Sequence, residues 1–164
     1  MEHPPHAHVA VIIERLCRPS PWEEWRFAVR DVVPDDGGFG DAPRLLRDDG
    51  REALFVHPGL PVHLHRDEAE GYHLNLSTGT PVWFVLWRIA EDDASQAWPE
   101  IVTLSYNEAG RWLDAQERVD NTPLQAPVRD WLQQWVDVHY RPEPKQRRKP
   151  ASFRAPHERQ DPPA

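Results

Sequence analysis

The sequence predicts an α+β domain: a mainly antiparallel sheet of about six or seven strands followed by two C-terminal helices packing on it. Three observations carry this. Short apolar runs with two-residue alternation occupy the first two thirds of the chain. Clusters of Gly, Pro and Asp separate these runs at short intervals, as the turns of a meander do. The strongest stretch of 3.6-residue periodicity comes last, and strands first with helices after define the α+β class.

Taken in order, residues 8–16 (HVAVIIERL) are apolar on both faces and predict a central strand. Residues 25–32 place Trp25, Phe27 and Val29 on one face and Arg26 and Arg30 on the other, the pattern of a half-exposed strand. Residues 33–43 (VPDDGGFGDAP) form a loop. Its glycines lack the Gly-Lys-Ser sequel of a phosphate loop, and Asp35 and Asp36 would repel a phosphate. Residues 44–48 and 52–57 read as strands joined at Asp49-Gly50, and His57-Pro58-Gly59-Leu60 as the turn into a third strand over 60–65. Residues 72–76 alternate again, with Tyr72, Leu74 and Leu76 opposite His73 and Asn75. Residues 82–89 (VWFVLWRI) predict a second central strand, and residues 100–104 the last one. Ser105-Tyr106-Asn107-Glu108 has the form of a capping box opening a short helix to about Ala115, with Ala109, Trp112 and Leu113 on its apolar face. The final helix spans 127–140, with Pro127 at its first position and Val128, Trp131, Leu132, Trp135, Val136 and His139 along one stripe.

Composition narrows the function classes. The chain's 164 residues fit one domain, residues 8–140, between a disordered start (1–7) and a basic, proline-rich disordered tail (141–164). The tail holds 7 Lys+Arg against 3 Asp+Glu, leaving 12 against 24 in residues 1–140. An acidic body whose only lysines, Lys145 and Lys149, lie in the tail offers no P-loop lysine, no Schiff base and no nucleic-acid surface. A single cysteine, Cys17, allows no internal disulfide and reads as a small buried hydrophobe. With no secretory leader and no long apolar segment, a cytoplasmic protein without a membrane span is expected.

The densest chemistry lies in PVHLHRDEAEGYHLN, residues 61–75. On a strand, His63 and His65 share a face, and Glu70 completes a His-x-His-x4-Glu spacing that is similar to the first metal motif of the cupin barrels. It departs from that motif at Gly59, which has three residues between it and His63 instead of five, and no second Pro-x-Gly…His motif follows. Two readings therefore stand: a solvated strand face, or a metal- or cofactor-handling face of His63, His65 and Glu70. No Gly-x-Ser-x-Gly elbow accompanies Ser77-Thr78-Gly79-Thr80, and the paired carboxylates Glu23-Glu24, Asp35-Asp36 and Asp92-Asp93 are accounted for by solvation. No catalytic residue and no cofactor is assigned, and a non-enzymatic role is expected.

Several phrases carry a resemblance: VAVIIER, PWEEWRF, Glu70-Gly71-Tyr72-His73-Leu74-Asn75-Leu76, VWFVLWR, and Val-x-x-Trp-Leu-x-x-Trp-Val before a basic tail. The chain resembles a proteobacterial family of unknown function encoded near formate dehydrogenase and its maturation genes, over most of residues 8–149. Some members carry the label of molybdopterin-guanine dinucleotide biosynthesis protein. That transferase chemistry wants a Gly-rich loop after the first strand, where this chain has Ile13-Glu14-Arg15-Leu16-Cys17-Arg18-Pro19. The resemblance implies an accessory protein with a protein partner, formate dehydrogenase or its maturation factors. The family's Glu-x-Tyr-x-x-Asn-Leu element falls on Glu70, Tyr72, Asn75 and Leu76. The first three, with Arg147, Arg148 and Lys149 of the basic tail, are the candidate partner-binding residues.

Overall fold

The apolar run beginning at Val9 forms a long first strand, β1 (His6–Ser20), in a computed structural model that describes residues 6–142. Val9, Ala10 and Val11 are all fully buried, as a strand covered on both faces requires. Strands β2 (Glu23–Pro34), β3 (Arg44–Asp48) and β4 (Glu52–His63) join it in a sheet of order β2-β1-β4-β3. A second sheet has β5 (Val82–Ile89) between β6 (Ala97–Thr103) and β7 (Arg118–Pro123). Every pairing is antiparallel. The helices are α1 (Ala69–Ser77), α2 (Tyr106–Asp114) and α3 (Ala126–His139). The α+β class and the seven strands agree with expectation; their division between two sheets, and the interleaving of α1 and α2 with strands, do not.

One core cluster joins the two sheets. Val9, Val11, Ile13, Phe27 and Val29 of the first meet Trp83, Val85, Trp87 and Val102 of the second, with Tyr72 and Leu76 of α1 and Leu132, Trp135 and Val136 of α3. Each fully buried large side chain contributes about 1.5–3 kcal/mol, so this cluster supplies the main favourable term of folding. Polar side chains then bind the sheets where no strand pairs them. Gln125 accepts from Trp83 Nε1 (3.0 Å) and donates to the Val32 carbonyl (2.7 Å), linking β5 to β2 at the start of α3. Asp120 Oδ2 of β7 accepts the Val29 N–H of the edge strand β2 at 2.9 Å.

Several local expectations are corrected. His57-Pro58-Gly59 is no turn: β4 runs through it, and the register against β1 shifts between Val9 and Val11, leaving an extra residue on β4. Gly59 takes φ +76 there and its N–H is held by Asp35 Oδ2 at 2.8 Å, so the proline and glycine mark a bulge. Residues 72–76 are helix, because Ala69, Tyr72 and Leu76 repeat at helical spacing and are the buried ones, while Leu74 faces out. The last strand is β7, whose polar sequence RVDNTP hides it; Val119 sits opposite Leu86 and Thr122 opposite Trp83. Leu113 does not belong to the apolar face of α2, being 57% exposed, and Cys17 is only half-buried. At the N-terminal end, His6 and Ala7 already pair with His63 and Val62.

Other details agree. Ser105 caps α2 by accepting the Glu108 N–H, and α3 carries Pro127 in its first turn. In the loop 35–43, Asp35 and Asp36 accept the Gly37 and Gly38 N–H groups, so the donors that would cradle a phosphate are already engaged. Among the described residues no helix is long and apolar enough to cross a membrane. The basic tail from residue 143 on, and residues 1–5, lie outside the described residues.

Where α1 meets α2, the chain requires glycine. A Cβ on Gly71 would overlap Ser105 Oγ and lie 3.0 Å from Ser105 Cβ and 3.2 Å from the Asn107 nitrogen. Gly71→Ala is expected to lower stability by about 1–3 kcal/mol in urea denaturation. Gly110→Ala on α2, where an added Cβ meets nothing within 4 Å, is expected to be neutral or stabilising.

Candidate functional site

The Glu70–Leu76 element is the centre of α1, and helical geometry divides it sharply. Tyr72 and Asn75, three residues apart, turn inward and are each 1% exposed, whereas Glu70 faces solvent. The Asn75 amide donates to the carbonyls of Val82 (2.8 Å) and Leu104 (2.9 Å) and accepts the Val82 N–H (3.0 Å). It stands where the next rung of the β5–β6 ladder would follow Phe84 and Thr103. The Tyr72 hydroxyl accepts the His65 N–H at 3.0 Å and faces the His63 carbonyl at 3.4 Å, and its ring meets Trp135 edge-on at 5.4 Å. Burial above all pushes the phenol up to about 12, so it stays a neutral hydrogen-bonding group. Tyr72, Asn75 and Leu76 of the element thus serve the interior, and Glu70 is the one open to a partner.

The short 3-10 turn Arg66–Glu68 that leads into α1 builds a polar junction with α2. The Glu68 carboxylate accepts Ser105 Oγ–H at 2.5 Å and forms an ion pair with Arg111. Ser105 is fully buried, so its hydroxyl serves the junction and is out of reach of a substrate. Nearby Glu108 is half-buried, and burial first, then the Glu68 charge, raises its carboxyl above the usual range. The sequence offered no signal for the Glu68–Ser105–Arg111 contact beyond the capping box itself.

The histidines fall elsewhere. His63 ends β4, but His65 lies beyond the strand, so the two do not share a strand face. Their ring centroids are 6.1 Å apart; His63 stands 5.8 Å from His6, which is 5.6 Å from His8. The exposed imidazoles brought together are thus those of His6, His8, His63 and His65, the first two contributed by the end of β1. Among the described residues no group of three or more His, Cys, Asp or Glu side chains is arranged to hold a metal ion.

Two of the concave regions among the described residues carry polar groups of interest. Beside Glu70, an open groove of about 540 Å³ is lined by Arg66, Asp67, Tyr140, Arg141 and Pro142, at the root of the basic tail. His73 of α1 stacks on Tyr140 there at 4.5 Å. Arg147, Arg148 and Lys149 lie outside the described residues, a few positions beyond Pro142. The second region is a smaller cavity beside His57 at the β3–β4 side of the first sheet.

The fold defines an α+β domain in which Tyr72 and Asn75 of α1 serve the interior and Glu70 stands exposed. Over residues 8–149 the chain matches the family described as protein of unknown function, DUF3305, and belongs to it. No curated protein and no solved structure matches the chain.

The Glu108 shift has a pH consequence. Because folding raises its pKa above the ordinary 4.5, its contribution to stability is complete below that value and is lost as pH climbs through the raised one. Glu108→Gln is therefore expected to match the wild type in thermal denaturation at acid pH and to gain on it as pH rises toward neutrality. A constant difference across that range would show that Glu108 carries no such linkage.

Proposed function

We propose that this chain is a non-enzymatic accessory protein that engages a protein partner, and that the partner is formate dehydrogenase or one of its maturation factors. The observation that carries the reading is the groove beside Glu70: an exposed carboxylate of the family element shares one concave surface with Arg66, Asp67, Tyr140 and Arg141, where the basic segment begins. Mixed charge around a tyrosine ring suits a partner surface that is polar and charged at its rim. The following residues Arg147, Arg148 and Lys149 would add cationic reach to the same contact.

A second surface supports a binding role. Trp98 and Ile101 of β6 stand opposite Arg88 and Leu86 of β5, on the face of the second sheet away from the core, and the exposed Tyr106 ring meets Phe84 edge-on at 6.2 Å. Exposed Trp, Ile and Tyr on one sheet face are the residue types from which interface anchors are made. The molybdoenzyme assignment rests on the family resemblance, and a cytoplasmic site of action accords with it.

The test is affinity capture from native cells with the full chain, with a chain ending at Tyr140, and with Glu70→Lys. The full chain is expected to recover a formate dehydrogenase component or maturation factor, and both variants to recover several-fold less. Recovery of no molybdoenzyme component by the full chain would end the reading.

A further inference from the structure

The cavity beside His57 shares no lining residue with the groove at Glu70 and is independent of the partner reading. It measures about 220 Å³, enough for one ring or a short branched chain. Phe27, Phe55 and Leu45 form its apolar wall, His57 reaches it from β4, and Arg44 and Gln96 stand exposed at its edge. His57 lies in the first sheet opposite Val11, with apolar Val56 and Pro58 as chain neighbours. The imidazole is half-buried there. Burial also lowers the pKa of this imidazole, so at neutral pH it presents one donor and one acceptor nitrogen.

Residues 1–140 carry 24 Asp+Glu against 12 Lys+Arg, yet the lining holds one arginine, Arg44, and no carboxylate. A second arginine lies close by: Arg15 sits between the rings of Trp25 (4.7 Å) and Phe55 (4.9 Å) and donates to the carbonyl of Ser95, whose residue also lines the cavity. Arg15 is thereby held in place and adds positive potential without filling the space.

We propose that this cavity is a binding site for a small organic carboxylate with an aromatic or branched apolar body, its ring against Phe27 and Phe55 and its carboxylate toward Arg44 and His57. An apolar enclosure with two or three convergent polar groups is the general form of small-molecule sites. Arginine supplies the planar fork that a carboxylate matches.

Benzoate is the probe, titrated into the full chain by calorimetry and by ligand-observed saturation-transfer NMR, with benzamide as the neutral control of the same shape. Saturable 1:1 binding of benzoate is expected, with benzamide weaker by about tenfold, the worth of one charge-assisted hydrogen bond. Arg44→Ala, at an exposed position, is expected to weaken benzoate by about the same factor, and Leu45→Trp, which places an indole at the cavity wall, to abolish binding. Thermal denaturation of each variant checks that it is folded. Absence of saturable benzoate binding up to about 10 mM, or binding that both folded variants leave unchanged, would overturn the assignment.

Discussion

The amide of Asn75 is the interaction on which the arrangement of the second sheet depends. Its three hydrogen bonds fix the first residue of β5 and the residue after β6 to the middle of α1, in a site closed to water. A strand pair that stops short leaves backbone donors and acceptors inside the protein, and each such group left unpaired costs about 1–3 kcal/mol. A side-chain amide supplies both a donor and an acceptor in one plane, so it replaces a rung of the ladder where the chain has turned away into α2. Leucine or alanine at this position would fill space and leave those groups bare. The close approach of α1 to α2 at Gly71 follows from the same constraint, since the helix must come near enough for the short Asn side chain to reach two carbonyls.

The same device recurs around the fold. Gln125 ties the start of α3 to both sheets, Asp120 occupies a donor on the edge of β2, and Asp35 holds the bulge at Gly59 together with the following Gly37 N–H. Short polar side chains thus complete the hydrogen bonding that strands leave open at their ends and edges. Free edges invite pairing with other chains, and an edge donor occupied by a carboxylate does not. Much of the polar sequence is therefore spent on architecture, including residues that in isolation look available for chemistry.

How far the sequence reveals this depends on the range of each signal. The central strands were legible because Val9–Ile13 and Val82–Ile89 are apolar on both faces, a property of consecutive residues. The α2 cap and the α3 stripe were legible for the same reason: Ser105 and Glu108, or Leu132, Trp135 and Val136, signal over one or two helical turns. Residues 72–76 were misread because five alternating positions fit a strand and one face of a helix almost equally well, and only burial beside Trp135 and Ser105 decides between them. The β7 strand, Arg118–Pro123, was missed since a polar edge strand has no local apolar signature. Of the candidate site, Glu70 kept an exposed position while Tyr72 and Asn75 went to the interior, and the cavity at His57 arises from segments as distant as Ile13 and Ala97, which no local pattern could join.

A binding role for the surface around Glu70 presupposes that the buried half of the same helix holds it in place, and the amide of Asn75 is the part of that support open to direct measurement. Urea denaturation of Asn75→Leu, a substitution of similar size without hydrogen-bonding groups, isolates it. A loss of at least about 2 kcal/mol is expected, with an unchanged denaturant slope. A variant within about 0.5 kcal/mol of the wild type would contradict it, because it would mean that the backbone groups of Val82 and Leu104 find partners without the amide.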